Sequence, residues 1–410
     1  MTTDLDTAGA LGILRARGFV QQITDEAALA ARLAAGPVTF YAGFDPTAAS
    51  LHVGHYIPLM AMAHLTRVGH KAIAVLGGGT AMVGDPSGKT EMRQLISAEA
   101  IATNRASIEA QVRRIIGSNA NIVDNAEWLL PLNYIAFLRD IGRYFSVNRM
   151  LAAEAYKMRL EKGLSFIEFN YQLLQAYDFL VLRRQHGCTL QIGGDDQWGN
   201  ILAGTDLIRR LHQAEAYGLT FPLLMTASGA KMGKTAAGAV WLDAGLTSAF
   251  DFYQYFVNVD DRDVVRFLKL LTFESLDEIR RFETVEGAEL RDAKRMLAKA
   301  ITAIVHGDQV ATATDAAARA AFGGSGGDES ALPSLRIARQ RLAEGPKIVD
   351  LIVEIGFAAS KSAARRLVEQ RGVKVGERDI AAVDATLLES DGTALLRVGK
   401  KHVGRLILED

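Results

Sequence analysis

The chain has 410 residues, of which 49% are hydrophobic and 23% are charged, and its formal net charge at pH 7 is −1. These values predict a globular protein of two to three domains, with enough apolar residues for an ample core. They exclude a chain that binds nucleic acid through its overall charge, so any such partner must contact a local basic patch.

The single cysteine, Cys188, excludes an intrachain disulfide and a metal site built from several cysteines. No apolar run approaches the ~20 residues of a membrane-spanning helix. The N-terminal residues also lack the basic and apolar regions of a signal peptide. The sequence therefore predicts a soluble, cytoplasmic protein with no membrane partner.

The first predicted elements are helices followed by a strand. Residues 8–35 carry apolar side chains at helical spacing, and Thr24 is the predicted start of the second helix. Val38–Tyr41 is a short run of apolar, β-branched and aromatic residues, which predicts a buried strand. Gly43 and Pro46 predict the end of that strand.

The tetrad His52-Val53-Gly54-His55 is the most informative motif of this region. Ser50 is the predicted N-cap of a helix that the tetrad begins. The N-terminus of a helix attracts phosphate through its unpaired N–H groups and its partial positive charge. The tetrad therefore predicts a nucleotide-phosphate site. A zinc site with two histidines, or a helix start that binds nothing, is the alternative.

A second strand is predicted at Lys71–Leu76, and three consecutive glycines follow it. Strand, helix and strand within about 40 residues form a βαβ unit. Such a unit predicts a parallel sheet that binds its ligands at the carboxyl ends of the strands.

The segment Gly84–Thr90 resembles a phosphate-binding P-loop, but Val83 stands where that loop requires glycine. A proline inside the segment also removes one of the N–H groups that such a loop uses. We interpret the segment as a turn that offers Asp85 to a cation and offers Lys89 and Arg93 to phosphates. A solvated basic loop is the alternative.

Tyr171, Gln175 and Asp178 have the i, i+4 and i+7 spacing that puts side chains on one face of a helix. Such a face is either solvated or lines a pocket for a small polar molecule. A further strand is predicted at 188–192. The acidic and amide-rich segment 193–200 follows it and suits ribose hydroxyls and an ammonium group.

Small residues and glycine dominate residues 225–235, which predicts a mobile loop. Its two lysines, Lys231 and Lys234, either contact phosphates or are solvated. Residues 246–322 have a helical pattern, and the glycine-rich stretch 323–330 predicts a linker.

Residues 361–405 contain ten Lys or Arg and six Asp or Glu, a local excess of four positive charges. Ser360 is the predicted N-cap of a helix that Gly372 ends, and a strand follows at 373–375. The basic patch predicts RNA binding, with an ordinary solvated helix as the alternative. The predicted RNA contacts are Lys361, Arg365, Arg366, Arg371, Lys374, Lys400 and Lys401.

Together, these motifs resemble those of the bacterial tyrosyl-tRNA synthetases, a family of class I aminoacyl-tRNA synthetases, from Tyr41 to Lys401. The tetrad at 52–55 is similar to the class I His-Ile-Gly-His signature. Lys231-Met232-Gly233-Lys234-Thr235 is similar to its Lys-Met-Ser-Lys-Ser loop, with two serines replaced. The last module resembles the S4 RNA-binding domain, whose Ser-x-x-x-Ala-Arg-Arg-Leu pattern corresponds to Ser360–Leu367.

The resemblance implies an α/β fold: a Rossmann-like catalytic domain with a parallel sheet at 1–230, then a mobile loop and helical domain at 231–322. A flexible linker at 323–334 and a small α+β, S4-like RNA-binding domain at 335–410 would follow. The implied reaction activates L-tyrosine with ATP to tyrosyl-adenylate and pyrophosphate, then transfers tyrosine to the 3′ end of tRNA(Tyr). Mg²⁺ would arrive with ATP, with no tightly bound cofactor and no protein-built metal site. A homodimer is expected, through the region 137–166.

The same resemblance assigns roles to individual residues. A carboxylate nucleophile needs no general base, so the catalytic groups would position phosphates and stabilise their charge. These groups are His52, His55, Thr47, Lys231, Lys234, Thr235, Lys89 and Arg93. The tyrosine-binding residues are Tyr41, Asp85, Tyr171, Gln175, Asp178 and Gln197. The adenylate-binding residues are Gly43, Asp45, Gly54, Gly194 and Asp196.

Two other functions are compatible with parts of the sequence. Tryptophanyl-tRNA synthetases share the implied catalytic fold, but they lack an S4-like tail, and Tyr41 together with Asp178 favours a phenol. A non-catalytic RNA-binding relative is disfavoured because both histidines of the tetrad and both lysines of the loop are present.

Overall fold

The computed structural model describes residues 5–87, 96–118, 120–161, 163–235, 238–323, 332–399 and 402–409. The predicted phosphate contacts Lys89 and Arg93 and the predicted RNA contacts Lys400 and Lys401 lie outside these residues. Within the described ranges, every helix is too short or too polar to span a bilayer.

Strands and helices are interspersed along the whole of the described chain. The strands are β1 (Gln22–Ile23), β2 (Thr39–Phe44), β3 (Lys71–Leu76), β4 (Asn121–Asp124), β5 (Leu190–Gly194), β6 (Tyr217–Phe221), β7 (Lys234–Thr235), β8 (Gly238–Ala239), β9 (Ser334–Ala338), β10 (Val373–Val375), β11 (Arg378–Asp379), β12 (Ala394–Val398) and β13 (His402–Glu409). The α-helices are α1 (Leu5–Arg17), α2 (Glu26–Ala34), α3 (Tyr56–Arg67), α4 (Ala98–Ile116), α5 (Ala126–Leu129), α6 (Tyr134–Asp140), α7 (Val147–Leu151), α8 (Glu154–Leu160), α9 (Phe166–His186), α10 (Trp198–His212), α11 (Ala249–Val257), α12 (Val264–Leu271), α13 (Leu276–Arg280), α14 (Ala288–His306), α15 (Asp308–Gly323), α16 (Arg339–Ala343), α17 (Ile348–Glu354) and α18 (Lys361–Glu369).

The first compact unit, residues 1–234, 239–243 and 260–293, is built on one sheet. Its strand order is β1-β6-β5-β2-β3-β4, and every neighbouring pair is parallel except the edge pair β1–β6. The prediction of a parallel sheet is therefore confirmed. Strands β3 and β4 lie on one side of β2, and β5 and β6 lie on the other. This arrangement makes the carboxyl end of β2 the switch point at which open α/β sheets bind ligands.

Helix α9 is long and sharply bounded, and it carries the predicted pocket face. Ser165 and Glu168 form a capping box at its start, and Gly187 ends it in the left-handed conformation with φ +61. The helix packs on the sheet through a buried cluster that includes Tyr41 of β2, Val75 of β3 and its own Phe179.

The tetrad differs from its prediction. Val53–His55 form a 3-10 turn with His52 as the N-cap, and α3 begins only at Tyr56. Ser50 does not cap a helix. Its hydroxyl contacts the side-chain oxygen of Gln111 (3.3 Å) and accepts from the N–H of Asp243 (3.1 Å).

Three other boundaries need correction. Asp25, not Thr24, caps α2 and accepts from the N–H of Ala28. Strand β2 continues through Gly43 to position 44 because its partner β3 pairs with it over its whole length. The helix after Ser360 ends at Glu369, three residues before Gly372, and Arg371 has a positive φ of 56. The cap by Ser360 is confirmed.

The second compact unit comprises residues 235–238, 244–259 and 294–410. Its helical part includes α11 and α15, joined where the Tyr253 hydroxyl donates to Asp315 (2.7 Å). Its last part is an α+β module with the strand order β11-β10-β12-β13-β9. Helices α17 and α18 share a buried apolar cluster with this sheet, including Leu351, Val368 and Leu396.

Candidate active site

A buried carboxylate lies at the deepest point of the candidate site. Asp178 of α9 is 4% exposed and accepts hydrogen bonds from Asn125 Nδ2 (3.0 Å) and Trp128 Nε1 (2.7 Å). The ring centroid of Tyr41, on β2, lies 5.2 Å from that of Phe179, which follows Asp178 on α9. The Tyr41 hydroxyl is buried and has no hydrogen-bond partner among the described residues.

The protonation of this pair suits a ligand hydroxyl. Burial raises the pKa of Asp178 to about 7, against the hydrogen bonds from Asn125 and Trp128, which favour the carboxylate. Burial, and then the charge of Asp178, raise the pKa of Tyr41 well above its ordinary value, so its O–H remains a donor. A ligand O–H can donate to the carboxylate and accept from Tyr41.

A chain of hydrogen bonds runs from this carboxylate to a second one. Asn125 Nδ2 also donates to Thr80 Oγ1 (2.9 Å), and Thr80 Oγ1 donates to Asp45 Oδ1 (2.7 Å). The Tyr171 hydroxyl donates to Asp45 Oδ2 (3.0 Å). The chain connects Asp178, predicted to bind the phenol of tyrosine, to Asp45, predicted to bind the adenylate, so neither carboxylate is held in place independently.

Sequence reasoning missed Asn125, Trp128 and Thr80. Asn125 directly follows β4, and parallel sheets bind ligands at the carboxyl ends of their strands. This rule could therefore have identified Asn125 as a site residue. Thr80 follows the three glycines after β3 and could have been found by the same rule. No local pattern pointed to Trp128, whose role depends on its long-range bond to Asp178.

A third carboxylate, Asp85, lies in the same pocket. Asp85 Oδ2 accepts from Gln197 Nε2 (2.7 Å). Asn200 Nδ2 donates to Gln175 Oε1 (3.0 Å) and to Gln197 Oε1 (3.2 Å). Burial is the main reason that the pKa of Tyr171 lies well above its ordinary value. The charges of Asp45, Asp85 and Asp178 raise it further. The structure therefore brings the predicted tyrosine-binding side chains together around a negatively charged pocket.

The histidines of the tetrad are held by the backbone. Their rings stack with centroids 4.0 Å apart. His52 Nδ1 accepts from the N–H of Gly54 (3.0 Å), and His55 Nδ1 accepts from the N–H of His52 (3.3 Å). Because each Nδ1 is an acceptor, a neutral ring carries its proton on Nε2, which is the donor that an anion requires.

Gly233 of the lysine loop lies directly against the tetrad. Its φ is +81, and a Cβ at this position would be 3.1 Å from Val53 Cβ and 3.3 Å from the backbone nitrogen of Gly54. A side chain at this position would require its neighbours to shift by a few tenths of an ångström, and its backbone would be strained at this positive φ. The close approach and the positive φ both favour glycine here.

A cavity of about 740 Å³ has Asp196, Asn200 and Lys231 in its wall. Burial raises the pKa of Asp196, and so does the charge of Asp85, whereas the Lys231 ammonium opposes that rise. Gly194 lies close to Asp196, because a Cβ on it would be 2.6 Å from Asp196 Oδ1. Gly43 is exposed at the end of β2.

The remaining predicted residues are placed less completely. The backbone N–H of Thr47 donates to the carbonyl of Asp45 (2.8 Å). The backbone of Lys234 and Thr235 forms β7, and their side chains are outside the described part of the chain. Among the described residues, no group of three or more His, Cys, Asp or Glu side chains is arranged to hold a metal ion.

This geometry can be compared with that of known proteins. Residues 33–323 match the family model described as tRNA synthetases class I (W and Y). The fold is thus that of a class I aminoacyl-tRNA synthetase.

The chain is 48% identical over 403 residues to tyrosine–tRNA ligase of Clostridium tetani, covering 97% of this chain and 98% of the relative. It is 49% identical over 405 residues to that of Treponema denticola, covering 97% and 99%. The crystal structure of a C-terminally truncated mitochondrial tyrosyl-tRNA synthetase from Aspergillus nidulans superposes with a TM-score of 0.68 at 30% identity, covering 78% of this chain and 96% of that one. The chain belongs to the tyrosine–tRNA ligase family, and the tryptophanyl alternative is not favoured.

Proposed function

We propose that this member of the tyrosine–tRNA ligase family holds the phenol of tyrosine between Tyr41 and Asp178 and forms tyrosyl-adenylate there. The observation that carries the proposal is the buried, unpartnered Tyr41 hydroxyl beside a carboxylate held by two donors. Phenylalanine would leave both groups unpaired in a dry pocket, which is costly. Tyrosyl-tRNA synthetases are themselves the standard example of this discrimination.

The ammonium group of tyrosine would bind at the other end of the pocket. The negative charge of Asp85 and Asp45 suits a cation, and Tyr171, Gln175 and Gln197 supply oxygen acceptors beside it. This arrangement leaves the carboxylate of tyrosine directed towards the nucleotide. Gly43, Asp45, Gly54, Gly194 and Asp196 would contact the adenylate.

In the reaction, an oxygen of the tyrosine carboxylate forms a bond to the α-phosphorus of ATP. The bond from that phosphorus to the bridging oxygen breaks, and pyrophosphate leaves with the electron pair. No proton moves, so the side chains only position the phosphates and stabilise charge. The groups with this role are His52, His55, Thr47, Lys231, Lys234, Thr235, Lys89 and Arg93. Mg²⁺ bound to the ATP phosphates would supply further neutralisation.

The second step transfers tyrosine to tRNA(Tyr), and we assign RNA binding to the S4-like module at the end of the chain. Arg365 and Arg366 are exposed on α18, and Arg371 is exposed just after it. Lys361 and Lys374 are exposed too, but each pairs with a carboxylate, so we expect weaker phosphate contacts from them. Lys400 and Lys401 complete the proposed set.

We also propose a homodimer. More than half of the large apolar residues exposed in the described part of the chain fall between 130 and 167. They are Leu130, Tyr134, Ile135, Leu138, Val147, Leu160, Phe166 and Ile167. A second copy is the occupant we assign to this surface. Sedimentation velocity should give about twice the 44.3 kDa mass of the chain, and a single-chain mass at micromolar concentration would contradict this assignment.

A buried, reduced Cys188 suits the cytoplasmic location that we assign to the protein.

The function is tested by exchange of pyrophosphate into ATP with tyrosine, phenylalanine or tryptophan as the substrate. Tyrosine should support exchange, and the other two should support very little. Tyr41→Phe removes one hydroxyl that makes no internal bond, so the fold should persist. Its preference for tyrosine over phenylalanine should fall by about tenfold, the effect of losing one buried hydrogen bond. A preference equal to that of the wild type would remove Tyr41 from the site.

A further inference from the structure

The loop that carries Lys231 is a hairpin whose two sides are paired through the backbone. Met225 and Lys231 form an antiparallel bridge, and the N–H of Thr226 donates to the carbonyl of Ala230 (2.8 Å). Gly229 makes the turn between the two sides, with φ +82. The position of Met225 therefore determines that of Lys231.

Two side chains from outside the loop hold the first side of this hairpin. Asp263, only 2% exposed, accepts a hydrogen bond from the N–H of Ala227 (2.8 Å). Arg266 pairs with Asp263 (2.6 Å) and also donates to the carbonyl of Met225. Arg266 thus binds the backbone C=O of Met225, and Asp263 binds the backbone N–H of Ala227, on either side of Thr226.

Local structure explains only part of the orientation of the Asp263 carboxylate. Asp263 occupies the N-cap position of α12, where aspartate ordinarily accepts from the first turn of its own helix. It makes no such capping bond; it pairs with Arg266, three residues further along the same helix, and accepts from a residue 36 positions away. Burial of a carboxylate is costly unless it is paired, and here one partner belongs to the hairpin and the other, Arg266, also donates to it.

Lys231, on the other side of the hairpin, lines the same cavity as Asp195 and Asp196. Asp196 is one of the residues proposed to contact the adenylate. Misplacing a group by about 1 Å can cost a large factor in rate when catalysis depends on positioning. A small shift of the hairpin would therefore change how well the ammonium stabilises the departing pyrophosphate.

We propose that Asp263 and Arg266 are positioning residues that hold Met225–Ala227 and thereby place Lys231 for adenylate formation. The inference rests on the proposed function, in which Lys231 stabilises the leaving group. Neither residue lines the cavity that contains Lys231 or belongs to the residues proposed for tyrosine and ATP, so the effect of the pair should pass through the hairpin.

The test measures single-turnover formation of tyrosyl-adenylate and equilibrium binding of tyrosine. Asp263→Ala and Arg266→Gln should each slow adenylate formation by about tenfold, while the affinity for tyrosine stays the same. Lys231→Ala should be slower still. The double variant Asp263→Ala/Lys231→Ala should be no slower than Lys231→Ala alone, because residues that act through one group are not additive.

Arg262→Gln is the matched control. The side chain of Arg262 is 68% exposed and pairs with Asp260 just before α12. This variant should therefore form tyrosyl-adenylate at the wild-type rate. If Asp263→Ala fails to fold, the partly exposed Arg266 still allows the test. Wild-type rates in both positioning variants, multiplied losses in the double variant, or an equal loss of tyrosine affinity would each overturn the inference. A wild-type protein that forms no tyrosyl-adenylate would instead overturn the proposed function.

Discussion

Asp178→Asn is expected to lower kcat/KM for tyrosine in pyrophosphate exchange by about 100-fold or more. The asparagine keeps the shape of the side chain but removes the charged acceptor for the phenol. It also presents an NH₂ group to Asn125 or Trp128, both of which donate to the carboxylate in the wild type. Two buried polar groups then lack good partners, at roughly 1–3 kcal/mol each.

The pH dependence of tyrosine binding reports the same carboxyl group. Since burial raises the pKa of Asp178 to about 7, the group holds its proton below that pH and is then only a neutral, weaker acceptor for the phenol. Wild-type affinity for tyrosine should therefore fall by about tenfold as the pH falls from 8 to 6. Asp178→Asn has nothing to titrate and should show a flat profile over this range.

The effect of pH on the stability of the fold has the opposite sign to its effect on tyrosine binding. A carboxyl group with a raised pKa stabilises the fold below its unfolded pKa near 4, and that contribution is lost as the pH rises to about 7. Asp178→Asn should therefore not unfold the protein at pH 8. Asp277→Asn, at an exposed ion pair on α13, is the control for the substitution itself. Parallel pH profiles in the wild type and Asp178→Asn would contradict the role of Asp178.

Elements with a strong local pattern were predicted well. Strand β3 begins and ends where the sequence predicted, because a strand buried on both faces is a continuous apolar run, here bounded by Lys71 and by glycines. The face of α9 that carries Tyr171, Gln175 and Asp178 follows from helical spacing alone. A buried, regular element requires apolar residues at a fixed spacing, so that spacing in the sequence predicts the element.

Features that depend on distant partners were not predicted. Ser50 looks like a helix cap, yet its hydroxyl bonds to residues on two other segments. Asn125 and Trp128 reach Asp178 across about 50 positions of sequence. Local patterns cannot decide which of several acceptors a donor will reach in the fold. For the same reason, the groups that orient the reactive side chains are the part of the site that sequence reasoning misses.

Removal of the residues after Gly323 should separate the two steps of the reaction. All residues proposed for tyrosine and ATP lie between positions 41 and 235, and the α+β module that begins at β9 has its own buried core. The truncated protein should therefore form tyrosyl-adenylate within about twofold of the wild-type rate. One described contact that the truncation removes is the hydrogen bond from Arg397 to the carbonyl of Ala321 (2.6 Å).

The same truncation should lower kcat/KM for charging tRNA by about 100-fold or more, because it removes all seven side chains proposed to contact RNA phosphates. Phosphate contacts release counterions, so the tRNA affinity of the full-length protein should fall more steeply with salt than that of the truncated one. Arg365→Ala/Arg366→Ala in the full-length chain should reproduce part of the charging defect and leave adenylate formation unchanged. The measurement is both half-reactions on one folded preparation. If adenylate formation is lost together with charging, or if the truncated protein charges tRNA normally, the last module is not a separate RNA-binding part of this enzyme.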